Sequence, residues 1–380
     1  MVLNQNNNMK FLLVCLLTSL TASADPIEKF VSYAQTKYGE SGQKAARFLV
    51  LHMPENDKNS LSTEFLIENL DFAFEARKAF PWAAKVPESI FLNDVLPYAV
   101  FDETRDTWRK KLFSLATKVV KEAQTGAEAA QLLNKNIFNI VNVHYNTGRK
   151  RPNQSLKEST SLGMATCTGL SIILVEACRS VGIPARAVGT PLWTNGRGNH
   201  TWVEIWDGDW HFAGADEYDP KGLNRGWFVG DASKAKANER RHAIYATSWK
   251  RNGITFPMVW ARSNNSVAAV NVTERYAKDS TEKLNLVELG VRLWDNKEGK
   301  RINAKVCVLD GVKRTCALDE TKAGTADLND MPRFYLPPGT SGWLQFTIGD
   351  EVRELAFGPL EKKIATIDAA WTKLEPAKKD

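Results

Sequence analysis

Apolar residues recur every three or four positions through much of the first half of the chain. In the last third they alternate with polar ones over short runs. The first period is that of a helix with one buried face, the second that of a half-buried strand. Asp25-Pro26-Ile27-Glu28 has the N-cap, first-turn proline and following acid of a helix start, and Phe30, Val31 and Ala34 continue the apolar face. The pattern predicts further helices over Gln43 to Met53, Ser62 to Phe80 and Arg105 to Glu122, the first two stopped by Pro54 and Pro81. Phe91 to Tyr98 is apolar but interrupted by Pro97, which predicts a short packed segment.

In the middle of the chain the two periods alternate. Thr125-Gly126-Ala127-Glu128 is a capping box opening a helix to about Val141, and Ser155-Leu156-Lys157-Glu158 is another before a short helix. His144 and Tyr145 lie in the loop or strand between them. Cys167 begins a run with Leu170, Ile173, Leu174 and Ala177 on one helical face, which leaves through Gly182 and Pro184 into a strand. His200 to Trp206 reads as a strand, Asp207-Gly208-Asp209 as a turn, and Trp210 to Ala215 as the returning strand with Asp216 at its end. Glu204 is either a second polar member of the cleft or, the simpler reading, an exposed strand residue. Beyond residue 263, runs such as Ala304–Leu309, Trp343–Ile348 and Val352–Phe357 are separated by Gly, Pro and Asp turns, as in an antiparallel β-sandwich.

Three residue types in this middle region carry chemistry. A cysteine at a helix N-terminus faces unpaired N–H groups and the positive end of the helix dipole, which favour its thiolate. A histidine can take and return a proton, and a carboxylate beside it fixes its tautomer. Antiparallel strands could set His200 and Asp216 side by side, so Cys167, His200 and Asp216 are the candidate nucleophile, base and orienting acid. His211 is a rival base, but strand parity puts it and Asp216 on opposite faces. The same three residues are also a conceivable metal ligand set, which their order and spacing fit less well than a triad.

The Cys-initiated helix, Gly182-Ile183-Pro184-Ala185-Arg186, and His200-Thr201-Trp202-Val203-Glu204 followed by Asp216 resemble the transglutaminase-like superfamily of papain-like cysteine enzymes, in its secreted bacterial form. The resemblance covers roughly residues 128 to 235. It implies an α+β fold, with a Cys helix packed on an antiparallel sheet, flanked by an N-terminal helical region and a C-terminal β-sandwich. It also implies Cys167 as nucleophile, His200 as base and then acid, and Asp216 as orienter. Ala165-Thr166 stands before the cysteine where many members have a glycine, and Glu217 follows Asp216 where many have proline. Backbone N–H of Cys167 is the natural first oxyanion donor, and Tyr145 is a candidate for the second. Trp193, in the Pro191–Gly198 loop, either packs or stacks on substrate, and Trp202 is a further candidate contact. The segment Phe91–Tyr98 resembles stretches that precede the catalytic domain in secreted relatives, where it would shape one wall of the cleft.

The boundaries that follow are a signal peptide at 1–24, a helical region at 25–125, a catalytic domain at 126–262, a β-sandwich at 263–368 and a tail at 369–380. Lys10 precedes the apolar run from Phe11 to Leu17, and Ala22-Ser23-Ala24 is an A-x-A cleavage site. The leader predicts a secreted or periplasmic protein, cleaved after Ala24, with Met9 as the natural start and Cys15 inside the apolar run. After its removal no stretch is long and apolar enough to span a bilayer. The chain's 380 residues exceed one ordinary core, so two or three domains are expected. A formal charge of +6 is modest and dispersed, and there is no basic-aromatic pattern for nucleic acid, no P-loop and no dinucleotide fingerprint. No cofactor and no calcium loop are expected.

Of the remaining cysteines, Cys178 lies three helical turns from Cys167 and is expected to be buried and inert. Cys307 and Cys316 flank Asp310-Gly311-Val312 and form a candidate disulfide. With Asp310-Gly311 as the turn, Cys307 faces Arg314; with Gly311-Val312 it faces Cys316, and a disulfide requires the second register. The chemistry implied is acyl transfer through a thioester, most simply hydrolysis of an amide in a protein, peptide or cell-wall peptide. Transfer to an amine, as in a cross-linking transglutaminase, is the alternative, and a binding protein with a dormant site is a third reading.

Overall fold

The computed structural model describes residues 25–277, 286–296, 299–323, 331–362 and 364–377. The expected leader at 1–24 and the end of the expected tail lie outside them. Among the described residues no helix is long and apolar enough to cross a membrane. The fold is mixed α and β, with helices first, a helix-backed antiparallel sheet in the middle and two sheets at the end.

Helix α1 (Pro26–His52) is capped by the Asp25 carboxylate, which accepts from the N–H of Ile27 at 3.0 Å. Gly39, at φ 65°, breaks it into the two helices that the apolar pattern predicts. Helix α2 (Thr63–Ala79) follows the Ser62 cap, and α3 (Trp108–Val119) is shorter than its pattern suggests. Helix α4 (Gly126–Val141) follows Thr125, and α5 (Leu156–Leu162) carries the full Ser155–Glu158 capping box. Helix α6 (Cys167–Ser180) is buried along nearly its whole length.

Strands β1 (His144–Tyr145) and β2 (Met164–Ala165) form a short parallel pair. The central sheet contains β3 (Ala185–Thr190), β4 (His200–Asp207), β5 (Asp209–Ala213), β6 (Tyr245–Ser248) and β7 (Ala268–Asn271), in the order β5-β4-β3-β6-β7 with antiparallel pairing throughout. Val203 and Ile205 of β4 join Leu170, Ile173 and Leu174 of α6 in one core, so one face of the sheet lies on the Cys helix. That core also takes Trp82 and Ala83 and the inner faces of α3 and α4. The helical N-terminal region is therefore continuous with the central domain.

Two buried arginines make the join. Arg179, near the end of α6, donates to the carbonyls of Asp94, Pro97, Ala99 and Ala185. Arg109 of α3 donates to the carbonyls of Val95, Leu96, Pro97 and Arg179 and to the Asn69 side chain. Irregular backbone cannot be buried with its carbonyls unpaired, and an arginine has five donors with which to satisfy them. The segment Phe91–Tyr98 therefore braces the end of α6 away from Cys167, which corrects the expectation that it lines the cleft. The residues just after it reach the cleft side: Phe101 packs edge-on to Phe256 and Asp102 accepts from Asn264.

The C-terminal unit contains β8 (Val287–Trp294), β9 (Lys305–Leu309), β10 (Thr315–Glu320), β11 (Arg333–Leu336), β12 (Gly342–Ile348), β13 (Glu351–Phe357), β14 (Ile364–Ala370) and β15 (Glu375–Pro376). Sheets β10-β9-β12-β13-β15 and β11-β8-β14 share one core through Leu289, Val306, Phe334 and Phe346. This is the expected sandwich, except that β14 runs parallel to β8. The strand β14 occupies residues placed partly in the expected tail.

Neither expected register forms at the Cys307 hairpin. Asp310 pairs with Arg314 around a loop with Lys313 at φ 58°, and a bulge at Cys316 then sets Cys307 opposite Leu318. Cys307 packs outward with Leu309, Leu318 and Leu51 of α1, whereas Cys316 packs against the sandwich core and bonds the Val308 carbonyl at 3.2 Å. Both thiols are free. Burial holds the Cys316 thiol up at about 11.

Candidate functional site

Cys167 is the first residue of α6, and Leu170 is the first residue whose N–H closes a helical bond, onto Thr166. The N–H groups ahead of Leu170 are those a helix start leaves free for an incoming oxygen. Thr166 is fixed from outside, its hydroxyl accepting from Arg149 Nε at 2.7 Å. Gly169 lets the helix sit close to the preceding loop, since a Cβ there would meet the Ala165 Cβ at 2.9 Å. Cys167 is partly exposed, whereas Cys178 is fully buried and its thiol is pushed up to about 12.

His200 opens β4, opposite Thr190 of β3. The residues that follow the cysteine and the histidine are tied together: the hydroxyls of Thr168 and Thr201 lie 3.2 Å apart and buried. The start of α6 and the start of β4 therefore meet. His200 is only 7 % exposed, and its Nε2 has no hydrogen-bond partner among the described residues. Burial lowers its pKa to about 4, so the imidazole is neutral at neutral pH.

Aromatic rings surround it. Trp227 stands 4.5 Å away between ring centroids, Phe228 5.1 Å, Trp202 5.8 Å and Trp193 6.3 Å. Trp202 is fully buried, stacked on Trp193 and donating to the Tyr276 hydroxyl at 2.8 Å. Both tryptophans are buried and pack on one another, so neither presents a face to solvent here. The aromatic that faces solvent over His200 is Trp227, 62 % exposed, and the sequence reading did not single it out. Its indole donates to Glu217 at 3.0 Å. Burial, opposed by that bond and helped by the neighbouring Asp216 charge, raises the Glu217 pKa.

Strand β5 does not carry its ladder as far as Asp216. Pairing ends at Val203 with Ala213; three more residues of the same register would set His200 opposite Asp216. Instead Asn134 of α4 clamps the departing chain, donating to the Gly214 carbonyl at 2.9 Å and accepting from the Asp216 N–H at 3.0 Å. Asp216 adopts φ 63°, and its carboxylate lies 3.0 Å from Nδ1 of His144. Among the described residues no hydrogen bond links Asp216 to His200. His144 and Tyr145 are exposed on β1, beside Met164 and Ala165 just ahead of Cys167. The sequence reading noted His144 only as a loop or strand residue; nothing local marks it, because its partner is 72 residues away.

Glu204 is buried, correcting its expected exposure. Arg186, opposite it in register, donates to it at 2.9 and 2.6 Å, and Arg275 and the Tyr276 hydroxyl complete its shell. His211 bonds Asn224 at 3.0 Å, away from Asp216. Among the described residues no group of three His, Cys, Asp or Glu is gathered to hold a metal ion.

No curated protein matches this chain. Solved structures similar to it include a protein of Cytophaga hutchinsonii described as a candidate cysteine protease, at 19 % identity and TM-score 0.29, over 52 % of this chain and 61 % of that one. A candidate protease of Parabacteroides distasonis matches at 9 % identity and TM-score 0.24, over 69 % and 38 % of the two chains. Red sea bream transglutaminase matches at 12 % identity and TM-score 0.26, over 79 % and 58 %. The chain thus spans less than two thirds of each of these proteins. Residues 114–232 match the model of the Transglutaminase-like superfamily, and this segment of the chain is a transglutaminase-like domain.

Proposed function

We propose that the protein is an exported cysteine hydrolase that cleaves amide bonds in protein, peptide or cell-wall peptide substrates through a thioester on Cys167. The observation that carries this reading is the Thr168–Thr201 contact, which joins the start of the Cys helix to the start of the His200 strand. His200, neutral and with Nε2 unpaired, is suited to take the thiol proton as Cys167 Sγ bonds to the substrate carbonyl carbon. The carbonyl oxygen gains negative charge against the free N–H groups at the helix start. His200 then gives its proton to the leaving nitrogen as the C–N bond breaks, leaving an acyl-thioester. Water attacks the thioester, His200 accepts the water proton and returns it to sulfur, and the acid is released. Asp216 is assigned as the carboxylate that supports this cycle from its place in the sequence, three residues beyond the end of β5, where a continued register would meet His200; in this structure its carboxylate rests on His144.

Iodoacetamide labelling of the folded protein across pH, with mapping of the modified cysteine, tests the reading. Labelling of Cys167 below pH 7, slowed by His200→Ala, is the expected result. Failure of Cys167 to react, or reaction only near pH 8.5 and indifferent to His200, overturns it.

A further inference from the structure

The loop Pro191–Asn199 leads into His200, and on its outer side lies an open cleft of about 610 Å³. Its other wall is the irregular segment around Phe256 to Asn265. The floor is apolar, with Phe256 and Met258 buried, and Asn199, next to the proposed base, belongs to its lining. Three arginines, Arg240, Arg241 and Arg262, border it, and no acidic side chain does. None of the three forms an ion pair among the described residues. Arg240 is held in place by a bond to the Thr255 hydroxyl at 3.1 Å and lies over the Tyr245 ring. The carboxylate nearby, Asp102, is engaged by the amides of Asn153 and Asn264.

We propose that this cleft is a substrate subsite for a carboxylate, so that the enzyme prefers peptides carrying an acidic side chain or a free carboxyl end near the scissile amide. The inference rests on the cysteine-hydrolase reading, whose site it adjoins. Guanidinium groups pair with carboxylates through parallel N–H bonds, and an apolar floor beneath them accepts the carbon chain that bears the acid. Three cations without an ion pair among the described residues, around one concavity, also draw anionic ligands toward it, an attraction that added salt weakens.

The test uses two pools of short N-acetylated peptides that differ only in having Glu or Gln at one fixed position, moved in turn along the peptide. Cleavage by the full chain is followed by mass spectrometry, and binding to the Cys167→Ala protein by titration. The expected result is a roughly tenfold preference for Glu at one position, the size of one charged hydrogen bond. The preference falls with added salt and disappears in Arg241→Gln with Arg262→Gln. Cleavage at equal rates for Glu and Gln at every position overturns the subsite and leaves the hydrolase reading intact. If nothing is cleaved the hydrolase reading fails, and the binding arm decides the subsite alone: loss of Glu-selective binding in the two arginine variants supports it, and unselective binding overturns it.

Discussion

The carboxylate of Asp216 lies against Nδ1 of His144, 72 residues earlier in the chain, and not against His200. His144 sits at the surface beside the strand that leads into Cys167, whereas His200 is enclosed by four aromatic rings. One imidazole thus holds the carboxylate, while the proposed base is the other. Continuing the β4–β5 register would point Asp216 to the buried one.

Substitution separates the two roles. Asp216→Asn is expected to lower kcat by about 10²-fold or more, the loss that follows when a base is no longer held in its working tautomer. His144→Asn is expected to change kcat less than about threefold, because an exposed pair contributes little. Steady-state kinetics on a cleaved peptide measures both. Equal losses in the two variants would make His144 the working partner of Asp216.

The cysteines should sort by burial. At pH 7 to 8 a soluble alkylating agent is expected to modify Cys167 alone in folded protein. Cys178, pushed up to about 12, and Cys316, at about 11, should react only after unfolding, as seen by peptide mapping with and without denaturant.

Acid should destabilise the fold over a defined window. Burial holds His200 at about 4 and His52 at about 3, against 6.5 in the unfolded chain. Between those values the unfolded state binds more protons, so stability is complete above pH 6.5 and declines as pH falls toward 4. A histidine held from 6.5 to about 4 contributes roughly 3 kcal/mol over that range. Denaturant midpoints measured from pH 7 to 4 should fall steeply, and less steeply in His200→Asn.

Removing Arg179 should be severe. Arg179→Met leaves the carbonyls of Asp94, Pro97, Ala99 and Ala185 buried without their donor, at a cost of about 3 kcal/mol or more. Thermal melting would show a lowered Tm, with the loss repeated in Arg109→Met.

Much of this architecture is legible in local sequence because its signals are local. Capping residues Asp25, Ser62 and Ser155 mark helix starts, and the alternation after His200 marks its strand. The partial failures come from long-range contacts. Glu204 reads as exposed until Arg186, Arg275 and Tyr276 are brought to it. Asp216 reads as the partner of His200 until Asn134, on a helix 82 residues upstream, turns the chain. Cys307 and Cys316 miss each other because the turn pairs Asp310 with Arg314 and Leu309 with Thr315, a register that already passes Cys316 by, and the bulge at Cys316 carries Cys307 on to Leu318.

The brace made by Arg109 and Arg179 bears on where this protein can be cut. A fragment trimmed to 114–232 would lose Arg109, the Phe91–Tyr98 carbonyls that Arg179 satisfies, and strands β6 and β7 of the central sheet. It would leave a charged guanidinium at the end of the Cys helix with most of its acceptors gone and an open sheet edge along β3. The span recognisable by descent is therefore smaller than the span that folds, and deletion work on this protein should keep its first helices attached.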